Sequence, residues 1–147
     1  MSRIGKKFEK LGGKTAFIGY ITAGDPSIET TKDLVLAMEK GGCDIIELGV
    51  PYSDPVADGP VIQAAAQRAL DNGVTVEKIF EVVEDIRKES QIPLVFLVYY
   101  NTIYANGLEK FVLRRLFLGF CFFRPWYGFG WTERVLLPPF TSYLLVI

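Results

Sequence analysis

Residues 47–60 read ELGVPYSDPVADGP. An apolar run stops at the carboxylate of Glu47. Three prolines and two further carboxylates, Asp54 and Asp58, follow before the next apolar stretch begins at Val61. The run before it, CDIIELGV (43–50), is apolar on both alternating faces. That is the pattern of a short parallel strand covered by helices rather than of a strand with one wet side. Pro51, Pro55 and Pro60 stiffen the loop that leaves it, and a stiff loop with outward apolar groups could hold a site or dock a partner.

Working outward, the same unit recurs. FIGYITAG (17–24) predicts a strand closed by a Gly-Asp-Pro turn. SIETTKDLVLAMEKGG predicts a helix, with Ser27 as N-cap, an apolar stripe at Ile28, Leu34, Val35 and Met38, and Gly41-Gly42 as its end. After the loop, 61–73 and 74–90 predict two more helices. The second carries Val76, Ile79, Phe80, Val83 and Ile86 as one stripe. Pro93 opens a third strand, LVFLVYYN (94–101), and GLEKFV (107–112) begins another helix. The order βαβααβα predicts an α/β fold with a parallel sheet and right-handed crossovers, either doubly wound or the start of a (β/α)₈ barrel. In both, ligands bind at the C-terminal ends of the strands. Tyr20, Glu47 and Tyr99 all fall at or near such ends.

Composition narrows the chemistry. The 147 residues suffice for one domain, and a net charge of −1 with no basic stripe gives no reason to expect nucleic acid. With no histidine, His-based triads and His metal sites are excluded, and Cys43 and Cys121 fit no metal or redox spacing. The basic N-terminus, MSRIGKKFEK, lacks the apolar run of a signal peptide, so a cytoplasmic, reducing location is expected.

The carboxylates admit two readings each. With period 2, Cys43, Ile45 and Glu47 share a face. In a barrel that could be the inner face, placing Glu47 at the mouth above an apolar floor, where a partly desolvated carboxylate suits general acid/base work. The bland alternative is a strand-end Glu paired with a Lys or Arg. Asp58 either serves a site or caps the helix that follows. Asp54, between Ser53 and Pro55, most simply makes an Asx-type turn, as Asp25 does in AGDP. Tyr20 and Tyr99 could be plain core aromatics.

TAGDP (22–26), ELGVPYSDPVADGPVIQ (47–63) and YYNTIYANGLEKF (99–111) together closely resemble the α subunit of tryptophan synthase. The resemblance runs across residues 1–112, with the three motifs in family order and spacing. It implies a (β/α)₈ barrel that cleaves indole-3-glycerol phosphate to indole and glyceraldehyde 3-phosphate, in tryptophan biosynthesis. It implies no metal or organic cofactor, the pyridoxal phosphate belonging to a β subunit that receives the indole in an α₂β₂ assembly. By the same resemblance Glu47 is the general acid/base and Asp58 meets the indole nitrogen. Tyr20, Leu97 and Tyr99 line the indole pocket, and Asp54 lies in the segment that meets the β subunit.

The last 35 residues are of a different kind. Residues 1–112 carry 12 Lys+Arg against 16 Asp+Glu; residues 113–147 carry four Arg, no Lys and one Glu. Half of all the aromatics, including Trp126 and Trp131, lie in this tail. Its longest uncharged run, 135–147, is too short to span a membrane. We therefore expect two regions: a partial barrel of about three strands over 1–112, and an unrelated tail over 113–147 that is not natively folded, as a frameshift or gene-model error would produce. Three strands cannot close a barrel, so an open sheet edge and an exposed apolar inner face are expected. Three functions follow: a lyase subunit by ancestry, inactive at this length; a non-catalytic module that docks to the β subunit through the 51–60 loop; or another phosphosugar barrel enzyme, disfavoured because Glu47 and Asp58 stand inside one contiguous motif.

Overall fold

The computed structural model describes residues 2–117 and 144–146. Three parallel strands form its centre: β1 (Ile18–Thr22), β2 (Ile45–Gly49) and β3 (Leu94–Tyr99). The helices are α1 (Arg3–Leu11), α2 (Ile28–Lys40), α3 (Pro60–Asp71), α4 (Val76–Glu89), α5 (Tyr100–Ala105) and α6 (Leu108–Phe117). Each parallel step of the sheet crosses through helices, α2 in the first and the α3–α4 pair in the second.

The cap residues start the helices as their chemistry dictates. The hydroxyls of Ser27 and Thr75 accept from the backbone N–H of Thr30 and Lys78, satisfying donors that the first turn leaves unpaired. Pro60 stands at the first position of α3, where its missing N–H costs nothing. The α4 stripe of Ile79, Phe80, Val83 and Ile86 is buried as its spacing predicts.

The core lies on the helix-covered face of the sheet. Ile46 and Leu48 of β2 and Leu94, Phe96 and Val98 of β3 pack there with Val35, Ala69, Ile79, Val83, Ile86 and Phe111. Phe80, Phe96 and Phe111 form an aromatic cluster with centroids 5.2–6.1 Å apart. Phe111 thus ties α6 into the core. Arg114 fastens the same helix by pairing with Glu77 and Glu84 and lying over the Phe80 ring. At the other end of the sheet, Asp44 accepts from the Phe17 N–H at 2.9 Å and pairs with Lys7 of α1.

Several expectations need correction. Strand β3 ends at Tyr99 rather than at Asn101, because the chain turns directly into α5. The N-terminal basic stretch, for which no helix is expected from the sequence, forms a helix capped by Ser2. The outer edge of β3 is not bare: Leu144–Val146 pairs with it antiparallel as β4, giving the order β1-β2-β3-β4. The face opposite the helices is exposed at Ile18, 48 % accessible, as expected, but is closed at Ile45, Val95 and Tyr99, each about 3 % exposed. Trp126, Trp131 and Cys121 lie outside the described residues.

Candidate active site

The strand register sets the site. Tyr20 on β1 stands beside Glu47 on β2, which stands beside Val95 on β3. Two residues further along, Thr22, Gly49 and Leu97 form the next row. Side chains repeat every second residue on one face, so Tyr20, Glu47, Leu97 and Tyr99 share the face opposite the core. Glu47 is half-buried, and among the described residues no lysine or arginine lies within ion-pair distance of it. The bland reading of a strand-end ion pair therefore does not hold within them.

Asp58 is likewise not a helix cap. Gly59 holds the N-cap position of α3 without a side-chain cap bond. Instead the Tyr99 hydroxyl donates to Asp58 Oδ2 at 3.2 Å. That same hydroxyl accepts the Ala57 N–H at 3.1 Å, so one phenol holds the loop and its carboxylate together. The Gln63 amide donates to the Asp58 carbonyl at 2.8 Å, tying the loop to α3. Tyr52 stacks on Tyr99 with centroids 4.7 Å apart and accepts from the Asn101 amide.

Tyr20, Thr22, Gly49, Asp58, Leu97 and Tyr99 line one recess, with Val50, Pro51, Tyr52, Ile62 and Ala66 completing it. Its free volume is about 10 Å³, room for about one water, against roughly 300–1,000 Å³ in small-molecule pockets. Burial pushes both phenols above their ordinary value of 10.0, and the nearby Asp58 anion adds to the effect. Asp54 is exposed; the turn there is a backbone one, Val56 N–H to Asp54 carbonyl at 2.9 Å, in place of the expected Asx turn. Nor does Asp25 make an Asx turn: it takes a bidentate bond from Arg68 of α3, both distances 2.8 Å.

Sequence reading missed Gly49, Thr22, Tyr52 and Gln63. A glycine inside a strand signals close approach, and here a Cβ at Gly49 would run into the Tyr20 ring. Thr22 accepts from or donates to the Tyr20 hydroxyl at 3.2 Å. Nothing in the spacing of Tyr52 or Gln63 marks them. Among the described residues no group of three metal-ligating side chains occurs, and no helix is long and apolar enough to cross a membrane.

The family model described as tryptophan synthase alpha chain matches residues 7–116. The chain belongs to the tryptophan synthase alpha chain family. A tryptophan synthase alpha chain from Thermoanaerobacter sp. (strain X514) is 61 % identical over 114 residues, covering 76 % of this chain and 44 % of the relative. That from Alkaliphilus metalliredigens is 61 % identical over 116 residues, 78 % of this chain and 44 % of the relative. The chain thus spans less than half the length of the curated relatives it matches. Among solved structures, the tryptophan synthase subunit alpha of Legionella pneumophila str. Paris superposes with a TM-score of 0.79 at 39 % identity, covering 82 % of this chain and 47 % of that one. The aminoacrylate-bound tryptophan synthase of M. tuberculosis does so at 0.75 and 34 %, covering 83 % and 50 %. With these likenesses, the parallel sheet and its covering helices are the architecture of a partial (β/α)₈ barrel.

Proposed function

We propose that this family member carries the acid/base portion of a lyase site that cleaves indole-3-glycerol phosphate to indole and glyceraldehyde 3-phosphate, in the cytoplasm, without a metal or organic cofactor of its own. Breaking the carbon–carbon bond requires a proton on indole C3 and removal of one from the side-chain hydroxyl. In this reading Glu47 serves both steps, donating the first and accepting the second. Protonation at C3 makes the indole nitrogen cationic, and Asp58 is the fixed anion beside it. Tyr20, Leu97 and Tyr99 bound the indole. The reading is supported above all by one observation: Tyr20, Leu97, Tyr99 and Asp58 line a single recess, with Glu47 on the same face beside Tyr20. The recess is too small for an indole as it stands, so binding requires the 51–60 loop, which carries Tyr52 and Asp58, to move.

Holding the substrate phosphate is work for the loops late in a barrel, and the matched region is less than half of a relative. The chain expressed alone is therefore expected not to turn over indole-3-glycerol phosphate. Reproducible turnover that Glu47→Gln abolishes would overturn that expectation.

A second reading rests on the exposed loop at Asp54 and Val56, the latter 66 % exposed. In it the partial barrel docks to a tryptophan synthase β subunit through residues 51–60. Pull-down with that subunit, weakened by Asp54→Ala, is the expected result; equal capture by both forms counts against it.

A further inference from the structure

Strand β3 is LVFLVY, six residues with no charge and no proline. Strand β2 takes one of its edges, pairing Ile46–Gly49 with Leu94–Leu97. An apolar strand of this length with a free outer edge is a template for pairing with another chain. The outer edge is taken by Leu144–Val146, which places Val146 opposite Leu97, Leu145 opposite Val98 and Leu144 opposite Tyr99. It runs antiparallel, whereas the next strand of a (β/α)₈ barrel runs parallel, so it is not a continuation of the barrel. The sheet's other edge, β1, is one residue shorter and contains Gly19.

We propose that Leu144–Val146 is a guard strand, occupying the β3 edge at Leu97–Tyr99 so that a second copy of the chain cannot pair there. It covers the C-terminal end of β3, the end that brings Leu97 and Tyr99 to the recess. The tail is then more than an appendage: its last described segment closes the edge most able to recruit another strand.

Two experiments test this without reference to catalysis. The first places cysteine pairs across the two strands. Residues directly opposite on antiparallel strands lie within disulfide reach, while neighbours one position along point to opposite faces. Under mild oxidation, Leu97→Cys with Val146→Cys is expected to cross-link within one chain, identified by peptide mass, several-fold more than Leu97→Cys with Leu145→Cys. Equal yields, or none, overturn the proposal. The second compares the full chain with one ending at residue 143, by sedimentation and by hydrogen exchange. The full chain is expected to stay monomeric. The shortened chain is expected to exchange at residues 97–99 about tenfold faster when dilute, and to associate on concentration while residues 45–49 of β2 stay protected. Association of the full chain overturns the proposal. So does a shortened chain with unchanged protection at 97–99 or no association, and so does loss of protection in β2, which would make the segment a fold-holding strand rather than a guard.

Discussion

Tyr99 does two things with one oxygen: it donates to Asp58 and accepts from the Ala57 backbone. Its charged form is disfavoured first by burial and then by the Asp58 anion. A phenol whose folded pKa lies above its unfolded value contributes stability that is fully present below the unfolded value of 10.0. That stability is lost as pH rises through the folded value. The chain's alkaline phenolate titration should therefore show a late-ionising fraction that shrinks in Tyr99→Phe, with a shallower loss of stability above pH 10.0. Unchanged curves would mean that the Tyr99 phenol is not held buried beside Asp58 in solution. Gly49 is legible in the same local terms. Gly49→Ala should destabilise the chain by about 1–3 kcal/mol, because the added methyl meets the Tyr20 ring. In a Tyr20→Ala background most of that cost should vanish, a coupling that denaturant midpoints of the double-mutant cycle would measure. Equal costs in both backgrounds would remove Tyr20 as the cause.

At the scale of elements, the strands and helices were legible where periodicity and caps agreed. The α4 stripe, the Ser27 cap and the proline opening α3 each had a local cause visible in the chain. Tyr100 and Asn101 carry a strand-like signal, because Val98-Tyr99-Tyr100 is β-rich and the turn into α5 has no glycine or proline, yet they belong to α5. The choice of Asp58 over a capping role was not legible without the family resemblance, since the deciding partner, Tyr99, lies 41 residues away. Nor could spacing reveal that Phe80, Phe96 and Phe111 meet, one each from α4, β3 and α6. Phe96 is 1 % exposed within that cluster. Phe96→Ala should cost about 3–5 kcal/mol of unfolding free energy, read by chemical denaturation. A cost below about 1 kcal/mol would show that α6 and β3 are not packed through it.

At the scale of the whole molecule, the match to the family model ends at residue 116. Helix α6 runs through Phe117, and Arg114 is fastened to α4, so the change in composition after Val112 is not matched by a break in the helix. We propose a shifted reading frame downstream of this helix; the pairing of Leu144–Val146 with β3 is then a property of this chain and not of the family. Translating the coding DNA in the other two frames beyond it should uncover further strand–helix units of the barrel, and their absence from both frames would make the tail native. In the proposed reading Glu47 and Asp58 supply the acid/base chemistry, and the remainder of a barrel is what would hold the substrate against them. The most direct measurement joins the two. Residues 1–116 of this chain replace the matching part of the Thermoanaerobacter alpha chain, which aligns at 61 % identity, and cleavage of indole-3-glycerol phosphate is followed. The hybrid is expected to be active, with Glu47→Gln lowering kcat by about 10²–10⁴-fold. A folded hybrid that cleaves the substrate equally well with Glu47→Gln would contradict the assignment of Glu47 as the acid/base.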